Sequence, residues 1–109
     1  MGGQTGQSDS TIAIGSRAGG NNQCDNSVAI GNFAGLDNQG LGSVAVGWLA
    51  GYNDQNDYSI AIGFEAGQTN QGESSIAMGY QAGQTAQGKQ SIAIGFNACL
   101  LYTSPSPRD

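Results

Sequence analysis

A sixteen-residue phrase returns six times in unbroken register, with the core [Ser/Thr]-[Ile/Val]-Ala-[Ile/Val/Met]-Gly-x-x-Ala-Gly. The copies begin at Thr11, Ser27, Ser43, Ser59, Ser75 and Ser91, and no insertion or deletion separates them. A fixed period in this range marks a solenoid, in which each repeat buries its apolar groups only by stacking on its neighbours. Such a chain predicts a rigid stacked surface rather than an active site. Positions are numbered below as phases of the repeat, with phase 1 at the opening Ser or Thr.

Phases 1 to 5 alternate strictly. Phases 2 and 4 carry Ile12 and Ile14 in the first copy, and their equivalents through Ile92 and Ile94 in the sixth. Alternation of β-branched residues with period two is the pattern of a strand, here with its Ile/Val face expected to turn inward. Glycine at phase 5 (Gly15, Gly31, Gly47, Gly63, Gly79, Gly95) bends the chain. A second short strand is expected over phases 6 to 8, ending at the Ala-Gly pair. Phases 10 to 16, rich in Gln, Asn, Asp, Thr and Gly, have the chemistry of loops. Two strands and two turns make one flattened coil. Six coils stacked about 4.8 Å apart by parallel pairing give a rod on the order of 29 Å long. Gln4, Thr5 and Gln7 echo the phases of Gln68, Thr69 and Gln71, so a half coil is expected before the first full one.

Three columns of the stack attract attention. Phase 13 is glutamine at Gln7, Gln23, Gln39, Gln55, Gln71 and Gln87; stacked amides can hydrogen-bond along the axis, and the phase-1 hydroxyls can do the same. Phase 3 is alanine in every copy: Ala13, Ala29, Ala45, Ala61, Ala77 and Ala93. Either both strand faces lie inside a thin roll, or this smooth stripe is a subunit interface along the rod. Phases 6 and 7 hold the bulky variable groups Phe33, Trp48, Leu49, Phe64, Tyr80 and Phe96. These either pad the coil edge or a subunit contact, or form a stripe for a sugar or protein receptor.

Composition removes other classes. The chain has 109 residues, enough for one domain, and only 10% of them are charged. A net charge of −5 with three basic residues leaves no patch for a phosphate backbone. No apolar run approaches the ~20 residues of a membrane span, and residues 1–10 lack the basic start and apolar stretch of a signal peptide. Without histidine, neither a Ser/His/Asp nor a Cys/His arrangement can be built. Cys24 and Cys99 sit at different phases, which supports neither a disulfide nor a metal site. The carboxylates Asp9, Asp25, Asp57 and Glu73 share phase 15, but Leu41 and Lys89 interrupt the column, so a solvated acidic edge is expected rather than a calcium ladder. No enzyme, cofactor or metal is expected.

Ser27-Val28-Ala29-Ile30-Gly31-Asn32-Phe33-Ala34 resembles the head repeats of trimeric autotransporter adhesins. That resemblance implies a left-handed parallel β-roll, all-β, of about six coils, assembled as a homotrimer with the phase-3 alanines approaching the trimer axis. It also implies an extracellular setting, on a bacterial cell surface or a virion fibre, and a host-surface glycan or protein as receptor. The longer phrase from Gly79 to Gly88 is similar to repeats in phage and giant-virus tail fibres, which often end in an endosialidase-type intramolecular chaperone. Adhesin heads usually repeat every fourteen residues; the two extra residues here lengthen a turn. The expected function is a head or shaft segment that attaches multivalently. The alternatives are an ice-binding solenoid or a spacer in a fibre.

The sixth copy breaks at Cys99, where five other copies have glycine, and runs into Leu100-Leu101-Tyr102-Thr103-Ser104-Pro105-Ser106-Pro107-Arg108-Asp109. This string resembles a translated sequencing adapter; the biological alternative is a Pro/Ser linker. The expected division is a repeat domain over 1–98, as a fragment of a longer protein, followed by a non-native or disordered tail over 99–109.

Overall fold

The computed structural model describes residues 10–98; the expected half coil before Thr11 and the tail from Cys99 lie outside the described residues. Ten strands of three residues each follow one another without a helix between them. Six carry phases 2 to 4: β1 (Ile12–Ile14), β3 (Val28–Ile30), β5 (Val44–Val46), β7 (Ile60–Ile62), β9 (Ile76–Met78) and β10 (Ile92–Ile94). Four carry phases 11 to 13: β2 (Asn21–Gln23), β4 (Asp37–Gln39), β6 (Asn53–Gln55) and β8 (Thr69–Gln71). The first set forms one parallel sheet in the order β1-β3-β5-β7-β9-β10, the second another in the order β2-β4-β6-β8, extended by a bridge from Thr69 to Thr85. Every pair is in sixteen-residue register, as at Ala29 to Ala45 and Gln39 to Gln55. The chain is therefore a β-solenoid, as the period predicts.

The second strand lies at phases 11 to 13, not at phases 6 to 8. Phases 6 to 9 are a turn, because the phase-7 residues (Arg17, Phe33, Leu49, Glu65, Gln81, Asn97) and the phase-9 glycines all take positive φ, between 53° and 63°. Two left-handed residues this close together fold the chain back, whereas the single one at phase 12 (Asn22, Asn38, Asp54, Asn70) is accommodated within the second strand. The Asn/Asp/Gln segment pairs despite its poor strand propensity, because the neighbouring coil already presents its partner groups in register. The turns are bonded from coil to coil as well: Phe33 N donates to Ser16 O at 2.8 Å, and Tyr58 N to Leu41 O at 2.8 Å. Backbone groups in strands and turns alike thus find partners in the adjacent coil.

The alternation of phases 2 to 4 is present, but with the opposite sense. Alanine faces inward: Ala29, Ala45, Ala61, Ala77 and Ala93 are fully buried, as are the phase-8 alanines from Ala18 to Ala82. The Ile/Val columns point out. The interior is too thin for them. A Cβ on Gly51 would lie only 3.2 Å from the Ala45 methyl, so the Ala strand and the phase-9 corner of the same coil are already in contact. Of the two expected readings of the phase-3 alanines, burial of Ala29, Ala45, Ala61, Ala77 and Ala93 favours the thin roll over the subunit interface; Ala13, in the first described coil, is half-buried.

Serine and glutamine complete the interior. Gln23, Gln39, Gln55, Gln71 and Gln87 are buried, and each donates Nε2 to the phase-2 carbonyl of its own coil, from Ile12 to Ile76, at 2.6–2.9 Å. Each buried serine bonds the carbonyl three residues earlier, as Ser43 Oγ does with Gly40 O at 2.8 Å. Both columns therefore brace single coils, and the expected axial ladders of amides and hydroxyls do not form there. Phase 5 is a stack of glycines: at Gly47 a Cβ would stand 2.9 Å from the carbonyl carbon and oxygen of Gly63, in backbone with φ +126°. Only glycine satisfies both conditions.

Candidate interaction surface

With alanine, serine and glutamine inside, larger side chains are left for the outside, and the solenoid presents two sheet faces of opposite character. On the second sheet the outward groups are polar and bonded to each other along the axis. Asn21 Nδ2 donates to Asp37 Oδ1 at 2.7 Å, Asn22 Nδ2 to Asn38 Oδ1 at 3.0 Å, and Asn38 Nδ2 to Asp54 Oδ1 at 3.0 Å. The axial ladders thus belong to phases 11 and 12, where the side chains point away from the coil. Thr69 and Thr85 stack in one column, but Asn21, Asp37 and Asn53 fill the rest of it, so no threonine rank forms.

The first sheet presents Ile, Val and Met. Within the stack these side chains half-cover one another; at the two ends of the sheet they are open, Ile14 at 59% and Ile94 at 63% exposure. Charge is excluded from this side. The charged residues among those described are Arg17, Asp25, Asp37, Asp54, Asp57, Glu65, Glu73 and Lys89, all at phases 7, 11, 12 or 15; phases 1 to 6 are uncharged in all six coils. A continuous apolar face of this length, rimmed by polar residues, is uncommon on a surface that meets only water.

The bulky groups of phases 6 and 7 divide into separate sets. Trp48, Phe64, Tyr80 and Phe96 share phase 6 and stack one above another, with ring centroids 4.8, 5.3 and 5.1 Å apart. The last two pairs are nearly parallel, at 15° and 3°. Phe33, at phase 7, packs edge-on against Tyr52 at 6.3 Å instead, with the Arg17 guanidinium 5.9 Å from its ring centre. Leu49 is half-buried in left-handed backbone at φ 63°. The candidate receptor contacts Phe33, Trp48, Leu49, Phe64 and Tyr80 are thus not one stripe. Phe96 joins the ladder, and its place in the repeat already marked it. Further along, Glu65 Oε1 accepts from Gln81 Nε2 at 2.8 Å and Gln84 Nε2 at 3.1 Å, and Gln84 also donates to Gln68 Oε1 at 3.0 Å.

Among the described residues no three His, Cys, Asp or Glu side chains converge, no cavity opens, and the thiol of Cys24 is exposed and free. The phase-15 carboxylates Asp25, Asp57 and Glu73 lie on an exposed edge, where Asp57 Oδ1 accepts from Leu41 N at 2.9 Å. Asp9 lies outside the described residues. What the molecule offers is surface: one polar sheet, one uncharged aliphatic sheet, and an aromatic ladder beside it.

Residues 71–98 match the family model of the YadA head domain repeat, in two copies. No curated protein and no solved structure matches the chain. Sequence and fold agree at this point: the β-solenoid coils over residues 71–98 are similar to adhesin-head repeats.

Proposed function

We propose that this chain is a head or shaft segment of an extracellular attachment protein, and that three copies assemble by turning their Ile/Val sheets toward a common axis. The observation that carries this reading is the uncharged aliphatic face spanning all six coils, from Ile12 to Ile94. A free solenoid of this size would leave that face in water. Three copies of one chain cover it completely, since a closed cyclic arrangement exposes no unpaired interface. The number three follows from the likeness to adhesin heads, which are trimeric.

The role that follows is mechanical. A stiff trimer holds three copies of each outward group at fixed spacing, so weak contacts with a host-surface glycan or protein act together and gain about 10²–10⁴ in avidity. Phe33 and Leu49, which lie outside the ladder, and the polar sheet are the groups left to face a receptor. Sedimentation equilibrium tests the assembly: a particle of three times 11.0 kDa is expected, and a monomer at every concentration overturns it. The trimer, compared with a face variant such as Val46→Glu, should then retain cells or immobilised glycans far more strongly. Equal retention would remove the multivalent role.

A further inference from the structure

The phase-6 rings were open between receptor binding and assembly, and their stacking separates the two. A sugar ring binds an aromatic side chain across its face. In this ladder both faces of the two inner rings are occupied by neighbouring rings, Phe64 lying between Trp48 and Tyr80 and Tyr80 between Phe64 and Phe96, and Trp48 and Phe96 each have one face so occupied. The inner rings are left with their edges outward, Tyr80 at 45% exposure, and the end rings Trp48 and Phe96 are 53% and 68% exposed. Edges carry the positive rim of the ring quadrupole and pack well against aliphatic groups or other rings, not against a sugar laid flat.

Position points the same way. One stacked glycine separates Val46 from Trp48, Ile62 from Phe64, Met78 from Tyr80 and Ile94 from Phe96, so the ladder borders the aliphatic sheet along four coils. The charged residues begin only beyond it, at phase 7, and are engaged there: Arg17 with Phe33, and Glu65 with Gln81 and Gln84. The uncharged zone therefore ends at the far side of the ladder, not at the edge of the sheet. When flat faces meet around an axis, the border of each is what reaches the neighbouring copy. We infer that the Trp48–Phe64–Tyr80–Phe96 ladder is a subunit contact, packing edge-on against the aliphatic columns of a second copy of this chain, and is not a receptor site. This rests on the trimer reading above and goes beyond it, by assigning the rings to the assembly. In the first two coils Ser16 and Asn32 hold the same column, so the contact is confined to the coils from Trp48 onward.

Trp48 is the only tryptophan, so its fluorescence reports on the ladder alone. The full chain at trimer-forming concentration is compared with its Val46→Glu variant, a monomer reference whose fold is checked by circular dichroism. Acrylamide quenching of Trp48 is expected to fall at least about threefold in the trimer, with a blue-shifted emission, because a half-exposed indole becomes covered. A Phe64→Ser/Tyr80→Ser/Phe96→Ser variant, which keeps Trp48 and uses a residue that Ser16 already places in this column, should weaken the trimer at least about tenfold. A trimer in which Trp48 is quenched as readily as in the monomer overturns the ladder assignment while leaving the trimer standing. So does shielding of Trp48 by added oligosaccharide in an intact trimer. A wild-type chain that stays monomeric overturns both.

Discussion

Gln55 reaches across the inside of its own coil and donates Nε2 to the main-chain carbonyl of Val44 at 2.7 Å. That bond ties the second sheet to the first, and it recurs in each of the five coils from Gln23 to Gln87. The amide oxygen has no such partner: Oε1 of all five glutamines is buried without a hydrogen bond. It lies against the phase-9 glycine, where a Cβ on Gly51 would stand 2.7 Å from it, so a glycine Cα–H faces the oxygen in the manner of a weak C–H···O contact. One residue pair per coil thus explains both the glutamine and the glycine column.

A carboxylate in place of that amide loses the donor and brings charge into a dry interior. Gln55→Glu should cost about 2–4 kcal/mol in urea unfolding at neutral pH, and Gln55→Met, which fills the space without charge, less. Burial raises the folded-state pKa of the new carboxyl above its unfolded value near ~4.3, so the cost is full above the folded pKa and shrinks as pH falls through it. A cost that does not change with pH would contradict the buried placement.

Gly47 and Gly95 occupy the same phase with similar backbone, at φ +126° and +117°, but among the described residues a Cβ on Gly47 meets the next glycine of the stack, Gly63, and one on Gly95 meets nothing. Alanine at either site meets backbone strain of about 1–3 kcal/mol. At Gly47 it also meets the Gly63 carbonyl, so Gly47→Ala should destabilise by at least about 1 kcal/mol more than Gly95→Ala. Thermal and urea unfolding of the two variants, measured side by side, check the difference.

Leu49 pays for its left-handed backbone at φ 63°, where asparagine is favoured. Leu49→Asn should stabilise the coil by about 0.5–1 kcal/mol, and Leu49→Val, whose branched Cβ is worst in this region, should destabilise it. Denaturant midpoints give the order; Val above Asn would contradict the turn geometry.

Ala61 and Ile62 are neighbours with opposite fates. Ala61→Leu forces a larger side chain into a filled interior and should cost about 1–3 kcal/mol or more, seen as loss of cooperative unfolding. Ile62→Glu puts charge on an outward position and should leave the coil folded while abolishing assembly in sedimentation. The reverse pattern would invert the faces of the sheet.

The period alone carried the coil count, the sixteen-residue register and the parallel pairing, because a stack must repeat whatever its unit repeats. The strand at phases 2 to 4 was equally legible from its alternation. Its sense was not: alternation separates Ala45 from Val44 and Val46 but does not say which side is inside. The second strand was hidden because Asn53-Asp54-Gln55 has the composition of a loop, although its left-handed middle position leaves a trace. Asparagine and aspartate hold phase 12 at Asn22, Asn38, Asp54 and Asn70, and none of the residues found left-handed at phase 7, 12 or 16 is valine, isoleucine or threonine.

The amino-acid sequence by itself determined a stack of repeating coils in sixteen-residue register, with phases 1 to 6 free of charge in every repeat. Only the tertiary structure decided which half of the strand is core. The coil closes so tightly that Ala45 touches the Gly51 corner and Gln55 spans what is left, so small and amide side chains fill the interior and isoleucine, valine and the aromatic ladder are turned outward. Cross-section is a property of the closed coil, and no local pattern along the chain contains it.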